Sequence, residues 1–220
     1  MDAATLASLL WEGLLQTLYM TLIATLVAYL IGLPIGVSLI VTGPNGIRPA
    51  GVYNKVMGFI VNIVRSVPFL ILMIALMPYI RKLIGTGIGT SATTAALIVA
   101  AAPFVARMVE QSLLEVDPGV IEAAQAMGAS NMQIVTKVLL LEARPSLLNG
   151  AAVAGITILG YSAMAGSIGG GGLGDIAIRY GLYRFQPTIM WITVIVLIVL
   201  VQVMQEIGIK VAAKLDNRIN

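Results

Sequence analysis

Long apolar runs separated by short polar stretches dominate this chain, and the lengths of those runs carry the first message. A membrane-spanning helix needs about 20 mostly apolar residues. Five runs reach that length, at about residues 14–41, 56–80, 87–109, 147–166 and 187–209. The first holds no charge and the second holds one, Arg65. Tyr79, Tyr180 and Tyr183 fall at or near run ends, where amphipathic rings prefer the headgroup level. The pattern predicts an all-α, polytopic membrane protein with five transmembrane helices in one domain over residues 1–220. Gly32, Pro34 and Gly36 interrupt the first run, Pro68 and Pro78 the second, and Pro103 the third. Membrane helices tolerate proline where neighbouring groups compensate for the lost hydrogen bond. Pairs of small residues, Gly32/Gly36, Ala96/Ala100 and Gly166/Gly170, allow helices to approach closely. Hinges at Pro34 and Pro68 remain open.

One polar segment breaks the apolar pattern, at about residues 111–145. Asp117 precedes Pro118, an N-cap residue followed by proline at the first helical position. A short helix is expected from there to Met127. Gly128 can take the left-handed conformation that ends it. Ser130 and Gln133 then have capping-box spacing for a second helix, with Met132, Val135, Val138 and Leu139 expected on one face. The segment reads as helix, glycine corner, helix. Glu110, Glu115, Asp117, Glu122 and Glu142 outnumber Lys137 and Arg144. A helix resting on anionic lipid would carry the opposite balance. A protein partner fits better, with Ala123 and Ala124 offering a low-relief surface beside Gly128.

Composition strengthens the membrane reading. Hydrophobic residues make up 59% and charged residues 10% of the 220 residues, against about 25% charged in soluble domains. Histidine and cysteine are absent, which removes disulfides, thiol catalysis and the usual zinc ligands. The slight basic excess forms no stripe with interleaved aromatics, so no nucleic-acid partner is expected. Asp2 and Glu12 are the charges before the first run. A signal peptide would begin with a basic region and a shorter apolar stretch, so the first run is expected to remain as a span. With five spans, Arg48, Lys55, Arg107, Lys137, Arg144, Lys210, Lys214 and Arg218 collect on one side, and Arg81, Lys82, Arg179 and Arg184 on the other. The positive-inside rule puts the richer side in the cytoplasm. That places the N-terminus outside, the C-terminus inside and the 111–145 segment in the cytoplasm.

Candidate chemistry is sparse. Residues 169–174 contain a formal GxGxxG, but it follows an apolar span and not the strand of a βαβ unit. A flexible, tightly turning extracytoplasmic loop is expected there. No GKS or GKT occurs, so the chain has no P-loop. The spans lack the carboxylates away from their ends that proton- or sodium-coupled carriers commonly use. No Ser/His/Asp set, metal site or paired carboxylates suggest a catalytic residue. Arginine at the centre of a span costs about 2.5–3.5 kcal/mol on insertion scales. Arg65 is expected in the cytoplasmic half of the second span, either snorkelling to the interface or facing a pathway. Tyr161, Ser162, Ala163 and Met164 make a polar-to-soft patch in the fourth.

Glu122 to Gly128, EAAQAMG, with Val138 and Leu140 behind it, resembles the EAA loop of binding-protein-dependent ABC importer permeases of the type I family. That pattern is EAA, three residues, Gly, nine residues, Ile, one residue, Leu-Pro. Glu122, Ala123, Ala124 and Gly128 match, Val138 replaces Ile, and Leu141 stands where proline is usual. The stretches NIVRSVPFLI (62–71), AAPFVARMVE (101–110) and GYSAMAGSIGGGGLGD (160–175) resemble the methionine-importer permeases. The resemblance covers nearly the whole chain. It implies a type I ABC importer permease fold that pairs with a second copy of itself in a bacterial inner membrane. It also implies two cytoplasmic ATP-binding cassette subunits and an extracytoplasmic methionine-binding lipoprotein. ATP and Mg would be bound by the partner ATPase, with no cofactor in this chain. Under the same resemblance, Glu122, Ala123, Ala124, Met127 and Gly128 couple to the ATPase. Tyr161, Ser162 and Met164 line the path, with Met164 at the gate, since an unbranched thioether side chain can seal a pore and move aside. Arg65 and Pro68 are candidates for a structural or pathway role. A sister importer for another small solute and a stand-alone carrier or channel are the alternatives.

Overall fold

The structure is a computed structural model that describes residues 2–214; Arg218, counted above with the basic side, lies outside them. Among the described residues all regular structure is helical, with no strand. The first helix, α1, runs Ala3–Thr42 over 40 residues. At about 1.5 Å per residue it is far longer than a bilayer core of about 30 Å. Pro34 lies inside α1 without breaking it, so the hinge anticipated there is not seen.

The second apolar run is not one rod. It forms α2 (Gly51–Ser66) and α3 (Phe69–Ile84), bent by 104° at the break between them. Pro68 is the cause. It lacks an N–H and pushes the preceding residue out of the helical region, and Val67 is extended at φ −81°, ψ 126°. Counting the bent pair as one crossing gives five spans, the other four being α1, α4 (Thr90–Leu114), the stretch that begins with α8 (Arg144–Ala165), and α10 (Pro187–Lys214).

Glycines set the packing of the central pair. A Cβ on Gly32 would lie 2.8 Å from the Ala102 carbonyl oxygen, and one on Gly36 would lie 2.6 Å from that of Ala106. These two pairings advance together along both helices, so α1 and α4 run parallel. α8 runs antiparallel to them: Gly150, near its start, faces Met108 and Ser112 late in α4. The Tyr29 hydroxyl donates to the Leu147 carbonyl at 3.3 Å, tying α8 to α1. α10 closes against α8 with Gly208 facing Ala152 and Gly155 facing Met204. The larger apolar core joins α1, α3, α4, the 111–145 segment and α8. A smaller one joins the start of α1, residues 173–176 and α10. The molecule therefore has two polar ends, one at the 111–145 segment and one at the glycine-rich turn after α8.

Candidate functional site

At the first of these ends, local sequence rules account for nearly every bond. The helix α5 spans Pro118–Ala126, and the Gly119 N–H donates to Asp117 Oδ1 at 2.7 Å. Gly128 turns the chain at φ +80°. A Cβ there would meet nothing within 4 Å, so its glycine is required for conformation and not for space. The Gln133 N–H donates to Ser130 Oγ at 3.4 Å, and the Ser130 N–H donates to Gln133 Oε1 at 2.8 Å, completing a capping box. The second helix begins as α6 (Asn131–Ile134), passes through a π-helical turn at Val135–Leu139 and ends as α7 (Leu140–Glu142).

Two surface expectations change. The π-turn inserts a residue into the helical repeat, so Ile134 and Leu139, five apart, both face inward and are buried. Met132 instead projects outward, 70% exposed, and Met127 is 82% exposed. Ala124, expected on an exposed low-relief surface, is 4% exposed and packs in the larger core. Glu122 and Ala123 are exposed. Glu122 lines a cleft of about 670 Å³ between α5 and the 43–47 turn that follows α1. Leu141, standing where proline is usual, is exposed and leaves the helix unbroken through Glu142. The break comes one residue later, at Ala143, with Pro145 in the first turn of α8.

The second group of residues lies midway along α4. Tyr161 and Phe69 stack with ring centroids 4.5 Å apart and planes 7° from parallel. Arg65, in the last turn of α2, and Phe104 join them around a cavity of about 210 Å³, which Val67 also lines. Arg65 thus stays in the first half of the bent span. It is exposed just before the helix break, level with the middle of α4. Pro68 creates that break. Tyr161 and Met164, three residues apart, share a face of α8, and Met164 is 54% exposed. Ser162 points elsewhere: it is buried and its hydroxyl donates to the Leu159 carbonyl at 2.7 Å.

The glycine-rich turn is packed, not loose. The Gly172 N–H donates to Gln16 Oε1 at 2.8 Å and the buried Leu173 N–H to Thr17 Oγ1 at 2.9 Å. The Gly89 N–H donates to the Gly169 carbonyl at 3.0 Å. A Cβ on Gly166 would lie 2.2 Å from the Asp175 backbone nitrogen, and one on Gly174 2.2 Å from the Ala163 carbonyl oxygen. The short helix α9 (Gly172–Ile176) therefore lies directly against the end of α8, and a salt bridge joins Asp175 to Arg179.

A further tie was not read from sequence. Arg107 on α4 pairs with Glu110 and also donates to Asn62 Oδ1 at 2.9 Å and to the Gly58 carbonyl at 3.2 Å on α2. An arginine three residues before a glutamate on a helix signals the ion pair, but no sequence feature points to its partners on α2.

The family model for the binding-protein-dependent transport system inner membrane component matches residues 32–207. A Vibrio cholerae protein named "Probable D-methionine transport system permease protein MetI" is 50% identical over 203 residues, 92% of this chain and 90% of the relative. The Bacillus subtilis methionine import system permease protein MetP is 44% identical over 209 residues, 95% of this chain and 94% of the relative. A chain of the MetNI methionine ABC transporter, solved in inward-facing conformations, superposes with a TM-score of 0.96 at 44% identity, covering 99% of this chain and 100% of its own.

Proposed function

The chain belongs to the binding-protein-dependent transport system inner membrane component family, and from that premise we propose that it is the membrane-spanning permease of an ATP-driven importer that carries methionine, L- or D-, into the cell by alternating access. Relatives at 44–50% identity named for methionine transport support this substrate. Two copies of the chain form the path, two ATP-binding cassette subunits dock at the Glu122–Gly128 end, and a methionine-binding lipoprotein delivers substrate at the other. Nucleotide and Mg belong to the cassette subunits. The segment's end is cytoplasmic, because Arg48, Lys55, Lys137 and Arg144 gather there; the N-terminus is then outside and the C-terminus inside.

The observation that carries the reading is the folded polar segment. Both of its helices are capped, its corner is held by Gly128, and Met127 and Met132 project from it. Exposed apolar tips on a rigid polar element suit a protein partner. When ATP draws the cassette subunits together, they carry both copies of the segment with them. Its inner face, Ala124, Ile134 and Leu139, is continuous with the larger core, so the spans follow as rigid groups. Met164 and Tyr161, on one face of α8, close the path in the resting state and separate as α8 moves.

The test is reconstitution with the cassette subunit and the binding protein, comparing wild type with Gly128→Arg. A long cationic side chain at this left-handed corner alters the docking surface while leaving the spans untouched. The expected result is normal membrane insertion with methionine uptake and transport-coupled ATP hydrolysis abolished. Wild-type uptake by that variant would sink the coupling assignment, and a wild-type complex that hydrolyses ATP but moves no methionine would sink the substrate.

A further inference from the structure

The cavity at the α2–α3 break combines an unpaired cation with an aromatic wall. We propose, resting on the methionine-importer reading, that it is a transit subsite for an amino acid, in which Arg65 receives the α-carboxylate and the stacked Phe69 and Tyr161 rings receive the side chain.

Three observations converge on it. First, among the described residues Arg65 has neither an ion pair nor a side-chain hydrogen bond, although it sits level with the middle of α4. Ionisable side chains at such depth are costly and mark substrate or ion paths when they face a cavity. A guanidinium presents a planar fork that matches a carboxylate. Arg107, one turn beyond Phe104 on α4, makes the contrast: its guanidinium is taken up by Glu110, Asn62 and Gly58.

Second, the wall facing Arg65 is aromatic. The Phe69–Tyr161 stack and Phe104 all line the same space. Thioether sulfur makes favourable contacts with aromatic rings, and a flat apolar wall accepts either enantiomer's side chain without fixing its handedness. A volume of about 210 Å³ admits one small amphipathic solute.

Third, the cavity adjoins the gate. Tyr161 lines it, and Met164 is three residues further on the same face of α8. A solute in the cavity would touch Tyr161, one helical turn from the residue that would have to move to let it pass. Pro68 has a part here as well, since without the 104° break Arg65 and Phe69 would lie on one continuous helix.

The experiment uses vesicles carrying the complete transporter, with the binding protein and radiolabelled methionine, and measures uptake and ATP hydrolysis in the same sample. Wild type is compared with Arg65→Met, which keeps length and apolar volume, and Arg65→Lys, which keeps charge without the fork. Loss of a charge-assisted bond to the carboxylate is expected to lower uptake by Arg65→Met about tenfold or more. Its binding-protein-stimulated ATP hydrolysis is expected to stay within about twofold, so that transport per ATP falls. Arg65→Lys recovers part of the uptake. Unchanged uptake by Arg65→Met alongside working wild type overturns the subsite alone. A parallel fall in ATP hydrolysis also overturns it, since that marks a structural role. A wild type that hydrolyses ATP without moving methionine overturns the functional reading, and the subsite with it.

Discussion

Gly128 and Gly174 both call for glycine, for opposite reasons. Gly128 has a left-handed backbone and empty space around it. Gly174 is an ordinary helical residue with no room at all: its missing Cβ would sit 2.2 Å from the Ala163 carbonyl oxygen. The first glycine is demanded by its own φ, and the second by a helix that arrives from elsewhere in the chain. The polar segment around Gly128 is accordingly a locally determined element, a capped helix on each side of a turn. The glycine-rich turn around Gly174 is determined by its neighbours α1, α4 and α8.

Alanine at the two positions gives the sharpest test of that contrast, with unfolding followed by denaturant titration in detergent micelles. Gly174→Ala pushes a methyl group into backbone that cannot give way, and overpacking of this kind costs about 1–3 kcal/mol or more. It is expected to impair assembly of α9 against α8, with little folded protein recovered. Gly128→Ala meets open space and bears only the left-handed penalty of about 1–2 kcal/mol, so the spans stay folded. Equal losses at both positions would break the comparison.

Thr17→Val probes the same turn from the α1 side. It leaves the buried Leu173 N–H without its acceptor, which costs about 1–3 kcal/mol. The expected result is lowered stability together with faster hydrogen exchange at Leu173 and Gly172. Unchanged exchange there would show that the turn holds itself in place without α1. Ser130→Ala is the smallest of these effects, about 1 kcal/mol from a lost N-cap. It is expected to loosen residues 129–134 in exchange measurements while the spans keep their stability.

The polar segment was legible because capping is written in neighbouring residues. Asp117, Pro118, Gly128, Ser130 and Gln133 specify it within a stretch short enough to read directly: Asp117, Ser130 and Gln133 make the capping bonds, Pro118 opens the helix and Gly128 turns the corner. Its buried face is legible only in part: Val135, Val138 and Leu139 pack on the core as expected, but Met132 turns outward and Ile134 takes its place, with the π-turn at Val135–Leu139 shifting the helical register. The glycine-rich turn was misread as flexible. Consecutive glycines have the same composition whether they are loose or packed, and what distinguishes the two is distant residues such as Gln16, Thr17, Gly89 and Thr93. Arg65 lies in the first half of its span, as expected, but its nearness to Phe69 and Tyr161 depends on how far Pro68 bends the chain. Ser162 was grouped with Tyr161 and Met164 by adjacency, while the helix turns it to the other side.

By itself the sequence determined the solvent of the chain, its five crossings, the cap-and-corner geometry of the polar segment, and the family. Run length, charge placement and capping are short-range properties, and water and lipid impose them wherever the residues fall. Tertiary structure alone decided where α2 and α3 diverge, which glycines were needed for space, and that Arg65, Phe69 and Tyr161 share one cavity. Those outcomes depend on helices distant in sequence meeting at van der Waals distance, and a linear pattern carries no record of which surfaces meet.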